Sequence, residues 1–114
     1  KTLVTKAASG AYYVFDIPVA ENLDLKKAAK AVGEKSVAML PQKELLPLTG
    51  YVHGGCSPVG MKKQFVTVYD ESCLAQPTIM VSGGRIGTQV ECAPADLIKV
   101  TRGKTAAITQ EHQA

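Results

Sequence analysis

Two glycine-rich segments are the parts of this 114-residue chain whose composition best suits them to chemistry. The first runs from Gly50 to Gly60 and the second from Ser82 to Gly87. Because glycine lacks a Cβ, its backbone can approach a ligand closely, and N–H groups aimed at a carbonyl can stabilise an oxyanion. Neither segment matches the phosphate-binding patterns GxxxxGK(S/T) or GxGxxG. The segments therefore indicate either an oxyanion-binding site or ordinary turns.

A thiol nucleophile is a second possibility within the first segment. His53, Cys56 and Ser57 together suggest a thiol with its general base, which requires a thiolate beside a base and a third group that orients them. A histidine and a cysteine three residues apart in a loop rarely point at each other, which argues against this arrangement. A thiol hydrolase is therefore kept only as an alternative.

The three cysteines, Cys56, Cys73 and Cys92, form no CxxC pair. An odd number at wide spacing fits neither a disulfide framework nor a zinc site. We expect reduced thiols in a cytoplasmic protein, with no metal and no cofactor. Cys73 and Cys92 are predicted to be small buried hydrophobic residues.

Basic residues slightly outnumber acidic ones, 13 against 10, so the net charge is +3. This balance permits an anionic partner such as RNA without requiring one. The basic clusters lack interleaved aromatic residues, which argues against a platform that stacks single-stranded bases. No run of about 18 apolar residues is present, so no membrane span is predicted. We expect neither a membrane nor DNA as a partner.

The elements that must position the glycine segments are short and of both types. Strands are predicted over residues 2–6, 11–17, 36–40, 65–69, 78–81, 88–92 and 106–108. Helices are predicted over 25–32, 41–46 and 95–100, with a helical turn near 72–74; Pro47 and Gly50 should end the second helix. Residues 109–114, including a solvated His112, are expected to form a polar tail. Seven strands and three helices without strict alternation predict one α/β or α+β domain with a mixed, strongly curved sheet.

Three motifs make the chain resemble a known family. Residues 50–63, GYVHGGCSPVGMKK, resemble a TGY-xx-GG-x-SP-x-G-x-KK loop, and residues 81–87, VSGGRIG, resemble a VS-GG-xx-G turn. Residues 1–4, KTLV, resemble a K-T-L strand, and residues 23–29 also match in order. On these motifs the chain resembles the YbaK/EbsC family, the free-standing Cys-tRNA(Pro) deacylases related to the editing domain inserted in bacterial prolyl-tRNA synthetases.

The resemblance implies a barrel-like mixed sheet flanked by helices, and hydrolysis of the ester that joins an amino acid to the tRNA 3′ end. The substrate is expected to be mischarged tRNA(Pro), with prolyl-tRNA synthetase as a possible partner. The substrate's own thiol is thought to attack its carbonyl, while backbone N–H groups stabilise the oxyanion. Carried over by position, the resemblance assigns catalysis to Lys1, Gly54 and Gly55, substrate binding to Thr2, Ser57, Pro58, Ser82 and Gly83, and tRNA contact to Lys62 and Lys63.

One departure from the family concerns the start of the chain. Family members carry a further segment before the K-T-L strand, and here the sequence begins at Lys1. We therefore expect residues 1–114 to be an editing domain that lacks an N-terminal segment. A non-catalytic module that binds aminoacyl-tRNA or a synthetase is the alternative function.

Overall fold

The computed structural model describes residues 1–111, and these contain seven strands, three α-helices and one 3₁₀ helix. In chain order they are β1 (Thr2–Ala7), β2 (Tyr12–Asp16), α1 (Leu25–Ala31), β3 (Val37–Met39), α2 (Gln42–Thr49), β4 (Val66–Asp70), the 3₁₀ helix (Glu71–Ala75), β5 (Ile79–Ser82), β6 (Gln89–Cys92), α3 (Pro94–Thr101) and β7 (Lys104–Ala106). The number and order of the predicted elements are thus confirmed.

Five strands form one mixed sheet in the order β3-β1-β2-β4-β7. Strand β1 pairs antiparallel with β2 and β3, whereas β2–β4 and β4–β7 are parallel. Strands β5 and β6 form a separate antiparallel hairpin. The radius of gyration is 13.1 Å, close to the value of about 13 Å expected for one domain of this size. The predicted single mixed domain is confirmed, but within residues 1–111 the five-stranded sheet is open and does not close into a barrel.

Strand β2 is buried on both faces, because each face of the sheet is covered. Phe15 packs in a cluster with Ala28 and Ala29 of α1. Val14, on the opposite face, packs in a second cluster with Leu45 of α2 and with Cys56. A strand that is covered on both sides needs apolar residues at consecutive positions, which explains the uninterrupted Tyr-Tyr-Val-Phe run that begins β2.

Helix α1 begins where the sequence predicts. The Asp24 carboxylate accepts hydrogen bonds from the backbone N–H groups of Lys26 and Lys27, both at 3.0 Å. An aspartate at this position satisfies N–H groups that have no partner within the helix. The helix ends at Ala31, one residue before the predicted boundary.

Helix α2 differs from the prediction, because it continues through Pro47 to Thr49. Proline removes one backbone donor from the helix, the N–H that would bind the carbonyl of Lys43. The Thr49 hydroxyl donates to the Leu45 carbonyl at 2.8 Å, and Gly50 ends the helix in the left-handed conformation at φ +87°. Gly50 is therefore the terminator, and the prediction that Pro47 ends the helix is wrong.

The C-terminal region also differs from the prediction. Strand β7 lies at Lys104–Ala106, directly after the turn that follows α3, and not at residues 106–108. Ile108 is instead fully buried, and its N–H donates to Asp70 at 3.1 Å. Thr109 forms a bridge with Leu23, so the predicted polar tail is tied to the domain at this point. His112 lies outside the described residues.

Candidate active site

The first glycine segment is a loop whose two ends are both hydrogen-bonded to Thr49. The carbonyl of Thr49 accepts the N–H of Lys62 at 3.0 Å, and its hydroxyl accepts the N–H of Tyr51 at 3.1 Å. Across the loop, the Tyr51 hydroxyl donates to the carbonyl of Val59 at 2.5 Å. Gly60 lies where any Cβ would be only 2.9 Å from that hydroxyl, so glycine is required for this cross-link.

The second glycine segment is the turn of the β5–β6 hairpin, and it packs directly on the first. A Cβ on Gly84 would lie 3.1 Å from the Tyr51 ring, and a Cβ on Gly55 would lie 3.1 Å from the backbone nitrogen of Ile86. The Ser82 hydroxyl accepts the N–H of Gly84 at 3.2 Å, which shapes the turn. Gly84 therefore leaves room for the Tyr51 ring, and Gly55 allows the backbones of the two segments to meet.

The start of β1 is held against the end of β2. The backbone nitrogen of Lys1 donates to the Ile17 carbonyl at 2.5 Å, and the Ile17 N–H donates to the Lys1 carbonyl at 3.0 Å. Thr2 and Asp16 are register partners, and the Thr2 hydroxyl donates to the Asp16 carboxyl at 2.5 Å. The Lys1 side chain is exposed and makes no hydrogen bond or ion pair with another of the described residues.

These three parts of the chain surround one cavity of about 300 Å³, which we call the site cavity. Lys1 directly precedes β1, Thr2 begins that strand, Gly54 lies in the first loop, and Ser82 ends β5. Four of the positions that the sequence assigned to the site therefore line the site cavity, although up to 81 positions separate them along the chain.

The remaining predicted positions lie around this cavity and not in its wall. Ser57 is buried and its hydroxyl accepts the N–H of Val59 at 3.2 Å. Ser57 and Gly83 line a groove beside α3, while Pro58 and Lys63 line a further cavity behind the first loop. The Lys62 ammonium donates to the carbonyl of Pro47 at 3.4 Å.

The two glycines predicted to donate to an oxyanion differ in their hydrogen bonds. The Gly55 N–H already donates to the Val52 carbonyl at 3.0 Å, and Gly55 is buried. Gly54 is exposed, has φ +86° and makes no hydrogen bond through its N–H to another described residue. Of this pair, Gly54 is the one whose N–H is available to a ligand.

The histidine and the cysteine of the first loop do not form a nucleophile pair. Burial raises the pKa of the Cys56 thiol to about 11, so the thiol is protonated at neutral pH. His53 is exposed, and within residues 1–111 no hydrogen bond joins it to Cys56. A thiolate is the nucleophilic form of cysteine, and this environment opposes it. Both side chains nevertheless line the site cavity.

Sequence reasoning missed Asp16, a carboxyl group that the fold buries at the end of β2. Burial raises its pKa to about 7, although the hydrogen bond from Thr2 lowers it. Its second oxygen, Oδ2, is buried without a hydrogen-bond partner. The signal for this residue was an acid within the apolar run of the strand predicted over residues 11–17.

The rest of the wall of the site cavity is largely apolar. Leu3, Leu45, Val81 and Met80 line it, whereas no acidic side chain does. Within residues 1–111 no group of three histidine, cysteine or acidic side chains is arranged to hold a metal ion. The cavity is lined by Lys1, by Gly54 with its free N–H and by the hydroxyl-bearing Thr2 and Ser82, beside a largely apolar wall.

Residues 1–100 match the family model described as the aminoacyl-tRNA editing domain. The chain therefore belongs to the aminoacyl-tRNA editing domain family. Over 109 residues it is 49% identical to EbsC of Enterococcus faecalis (strain ATCC 700802 / V583), which is named as a candidate Cys-tRNA(Pro)/Cys-tRNA(Cys) deacylase. The match covers 96% of this chain and 66% of that protein, just under two thirds of its length. The resemblance predicted from the motifs is confirmed.

Solved structures agree with this family. A candidate trans-editing enzyme for prolyl tRNA synthetase superposes with a TM-score of 0.87 at 28% identity, covering 97% of this chain and 69% of that one. The hypothetical protein APE2540 superposes with a TM-score of 0.88 at 28% identity, covering 96% and 73%. No helix in the described part of the chain is long and apolar enough to cross a membrane.

Proposed function

We propose that this chain is a trans-editing deacylase that releases cysteine from mischarged Cys-tRNA(Pro). The observation that carries the proposal is the convergence of Lys1, Gly54 and Ser82 on one cavity of about 300 Å³. Membership of the editing-domain family supports it, as does the name of the 49% identical relative. A cytoplasmic location and action on tRNA alongside prolyl-tRNA synthetase are parts of the same proposal.

The reaction needs no nucleophile from the protein, because an aminoacyl ester is already activated and cysteine carries its own thiol. In the proposed step the substrate sulfur attacks its own carbonyl carbon, and the bond from that carbon to the ribose 3′ oxygen breaks. The thiol proton passes to the departing oxygen, so the tRNA leaves with a free hydroxyl. Water then opens the cysteine thiolactone. Holding thiol and carbonyl in a near-attack geometry supplies roughly 7–11 kcal/mol at best.

The protein's groups have distinct roles in this step. The free Gly54 N–H donates to the carbonyl oxygen as it becomes negative, a contribution of about 3 kcal/mol for one such donor. The Lys1 ammonium lies beside the ester or the terminal ribose and stabilises the departing oxygen. Thr2 and Ser82 contact the cysteinyl group within the wall of the site cavity. The small apolar cavity favours a bent cysteinyl group over proline, whose ring cannot adopt that pose.

Three further predictions belong to this proposal. Gly55 acts behind the wall by allowing the first loop and the hairpin turn to pack together, and Ser57, Pro58 and Gly83 contact the substrate around the site cavity. Lys62 and Lys63 contact the phosphates of the tRNA. Residues 1–114 act as one editing domain.

The proposal predicts that Lys1→Ala abolishes deacylation. We expect the rate of [³⁵S]cysteine release from Cys-tRNA(Pro) to fall at least about 100-fold, as for the loss of an electrostatic stabiliser of a transition state. Lys6→Ala is the matched control, because Lys6 is an exposed lysine of the adjoining strand β1, 5.7 Å from the Tyr12 ring centroid and outside the site cavity.

A Lys1→Ala variant that stays folded and releases cysteine at the wild-type rate contradicts the assignment. Wild-type protein that binds Cys-tRNA(Pro) without releasing cysteine indicates the alternative, a binding module. Parallel assays with Ala-tRNA(Pro) and Ser-tRNA(Pro) measure the preference for cysteine.

A further inference from the structure

The residues that line the site cavity divide by exposure into a buried end and an open side. Among the described residues of its wall, Leu45 and Cys56 are the two that are buried, at 9% and 7% exposure. The polar side chains of Lys1, His53 and Gln89 are exposed, so they lie where the cavity opens to solvent. We call Leu45 and Cys56 the cavity floor.

The cavity floor is supported from behind by the protein core. Its two residues pack in one hydrophobic cluster with Val4 and Val14 of the sheet. The loop is also fixed directly before Cys56, where the Gly55 N–H donates to a backbone carbonyl at 3.0 Å. Because protein interiors are close-packed, a floor of this kind does not recede to make room for a larger ligand.

The cavity floor offers apolar surface and only weak hydrogen bonding. Cys56 is a free cysteine, and burial raises the pKa of its thiol to about 11, so the floor carries no charge at neutral pH. An S–H group is a weak donor and its sulfur a weak acceptor, and the side chain of Leu45 is neither. A ligand group at the floor therefore gains from packing and finds no strong hydrogen-bond partner there.

The proposed substrate has one group that suits the cavity floor. Its ester leads to the tRNA, which is far larger than a cavity of about 300 Å³, so the ester lies at the open side with Lys1. Its α-ammonium is charged, and burying a charge without a partner is costly, so this group stays near the exposed polar side chains. The side chain of the amino acid is the remaining group, and it points to Leu45 and Cys56.

We propose that Cys56 is a specificity-determining residue: with Leu45 it forms the surface on which the substrate side chain packs, and this surface favours a thiol over a hydroxyl. The inference rests on the proposed function for the position of the ester. Cysteine and serine differ only in a sulfur or an oxygen atom. A buried hydroxyl without a strong partner costs affinity, whereas a thiol behaves as a small hydrophobic group. The cavity floor thus separates the two amino acids at the binding step.

The test measures affinity alone, with 3′-amino-3′-deoxyadenosine acylated with cysteine, serine or glycine. An amide replaces the ester in these compounds, so their affinities do not depend on turnover. Glycine has no side chain, and its compound therefore measures every contact except those at the floor. Calorimetric titration of the wild type is expected to show at least about tenfold weaker binding of the serine compound than of the cysteine compound, as for a buried polar group left unpaired.

Two variants change the cavity floor in different ways. Cys56→Ser keeps its size and adds a hydroxyl that pairs with the serine compound, so the preference for the cysteine compound is expected to fall below about threefold. Cys56→Leu fills the space above the floor. It is expected to weaken the cysteine compound at least about tenfold and the glycine compound less than about twofold. Where Cys56→Leu does not fold, Cys56→Ser alone decides the question.

Cys92→Ser is the matched control, because Cys92 is a half-buried free cysteine outside the wall of the site cavity. It is expected to keep the wild-type preference. Equal affinity of the wild type for the cysteine and serine compounds overturns the inference, as does a preference that persists in Cys56→Ser. Equal losses for the cysteine and glycine compounds in Cys56→Leu also overturn it, because they show a general disturbance of the loop.

Failure of this inference and failure of the deacylase are distinguishable. Cysteine release that depends on Lys1, together with equal binding of the cysteine and serine compounds, removes the selection by Cys56 and leaves the enzyme. A preference that Cys56→Ser removes, without cysteine release from Cys-tRNA(Pro), leaves the cavity floor as the selective surface and removes the deacylase.

Discussion

At the scale of single residues, Asp16 and Gly54 each leave one polar group without a hydrogen bond to another described residue. Asp16 is buried with one oxygen unpaired, a state that costs free energy of folding. Gly54 exposes its N–H, whereas the neighbouring Gly55 uses its own within the loop. The two adjacent glycines thus differ in whether the N–H group is available to a ligand.

Asp16 gives the stability of the protein an unusual dependence on pH. Burial raises its pKa to about 7 in the folded chain, from an ordinary value of 3.8. Between these pH values the folded chain holds a proton that the unfolded chain has released. The favourable contribution is complete below pH 4 and is lost as the pH rises through 7, by up to roughly 4 kcal/mol.

Asp16→Asn removes this titration. We expect the free energy of unfolding of the wild type, minus that of Asp16→Asn, to fall as the pH rises from 4 to 8. Urea denaturation at four pH values measures this difference. A difference that stays constant across the range shows that Asp16 is not buried as a neutral acid.

At the scale of elements, the positions where helices and loops end determine which residues form the wall of the site cavity. Helix α2 ends at Gly50, where the first loop begins, and Thr49 forms hydrogen bonds with both ends of that loop. The β5–β6 hairpin packs its turn on the same loop through Gly55. The site cavity therefore lies between the start of β1, the first loop and the β5–β6 hairpin.

Pro47 is a point at which helix α2 can be stabilised. It is exposed inside the helix, where it removes the hydrogen bond to the Lys43 carbonyl. We expect Pro47→Ala to raise the free energy of unfolding by about 1–3 kcal/mol, less the entropy that proline removes from the unfolded chain. Urea denaturation checks this value.

Pro41→Ala is the matched control for that substitution. Pro41 precedes the same helix at its N-cap, where no intrahelical N–H is needed. Pro41→Ala is expected to leave the free energy of unfolding unchanged or slightly lower. A stabilisation of the same size from both variants shows that the missing hydrogen bond is not the cause.

At the scale of the whole molecule, the mixed sheet brings Lys1 beside a hairpin that lies about 80 positions later in the chain. The net charge of +3 is modest, so any attraction for tRNA depends on where the lysines lie. Lys63 is exposed, whereas the Lys62 ammonium is already bonded to a backbone carbonyl. Lys63 is therefore the lysine whose ammonium group is more available to bind a tRNA phosphate.

Lys63→Ala tests the proposed contact with tRNA. We expect weaker binding of tRNA(Pro), and a slope of log affinity against log salt that is smaller in magnitude by about 1, because one phosphate contact is lost. Filter binding at five salt concentrations measures the slope. Lys30→Ala, which removes an exposed lysine of α1, is the control and is expected to keep the wild-type slope.

The sequence by itself determined the elements and the motifs. The apolar run of β2, the Asp24 cap and the glycines of the two loops are local patterns, and local steric and hydrogen-bonding preferences set them. The family could be inferred for the same reason, since its motifs are contiguous. Pro47 was misjudged because tertiary packing overrode a local preference.

The tertiary structure alone decided which of these residues meet. The register of β1 on β2 set Thr2 opposite Asp16 and left one carboxyl oxygen buried without a partner. The packing of the hairpin turn on the first loop brought Ser82 and Gly54 to a common wall with Lys1. Such contacts join positions far apart in the chain, so they depend on the pairing and packing of the whole domain and leave no local signal in the sequence.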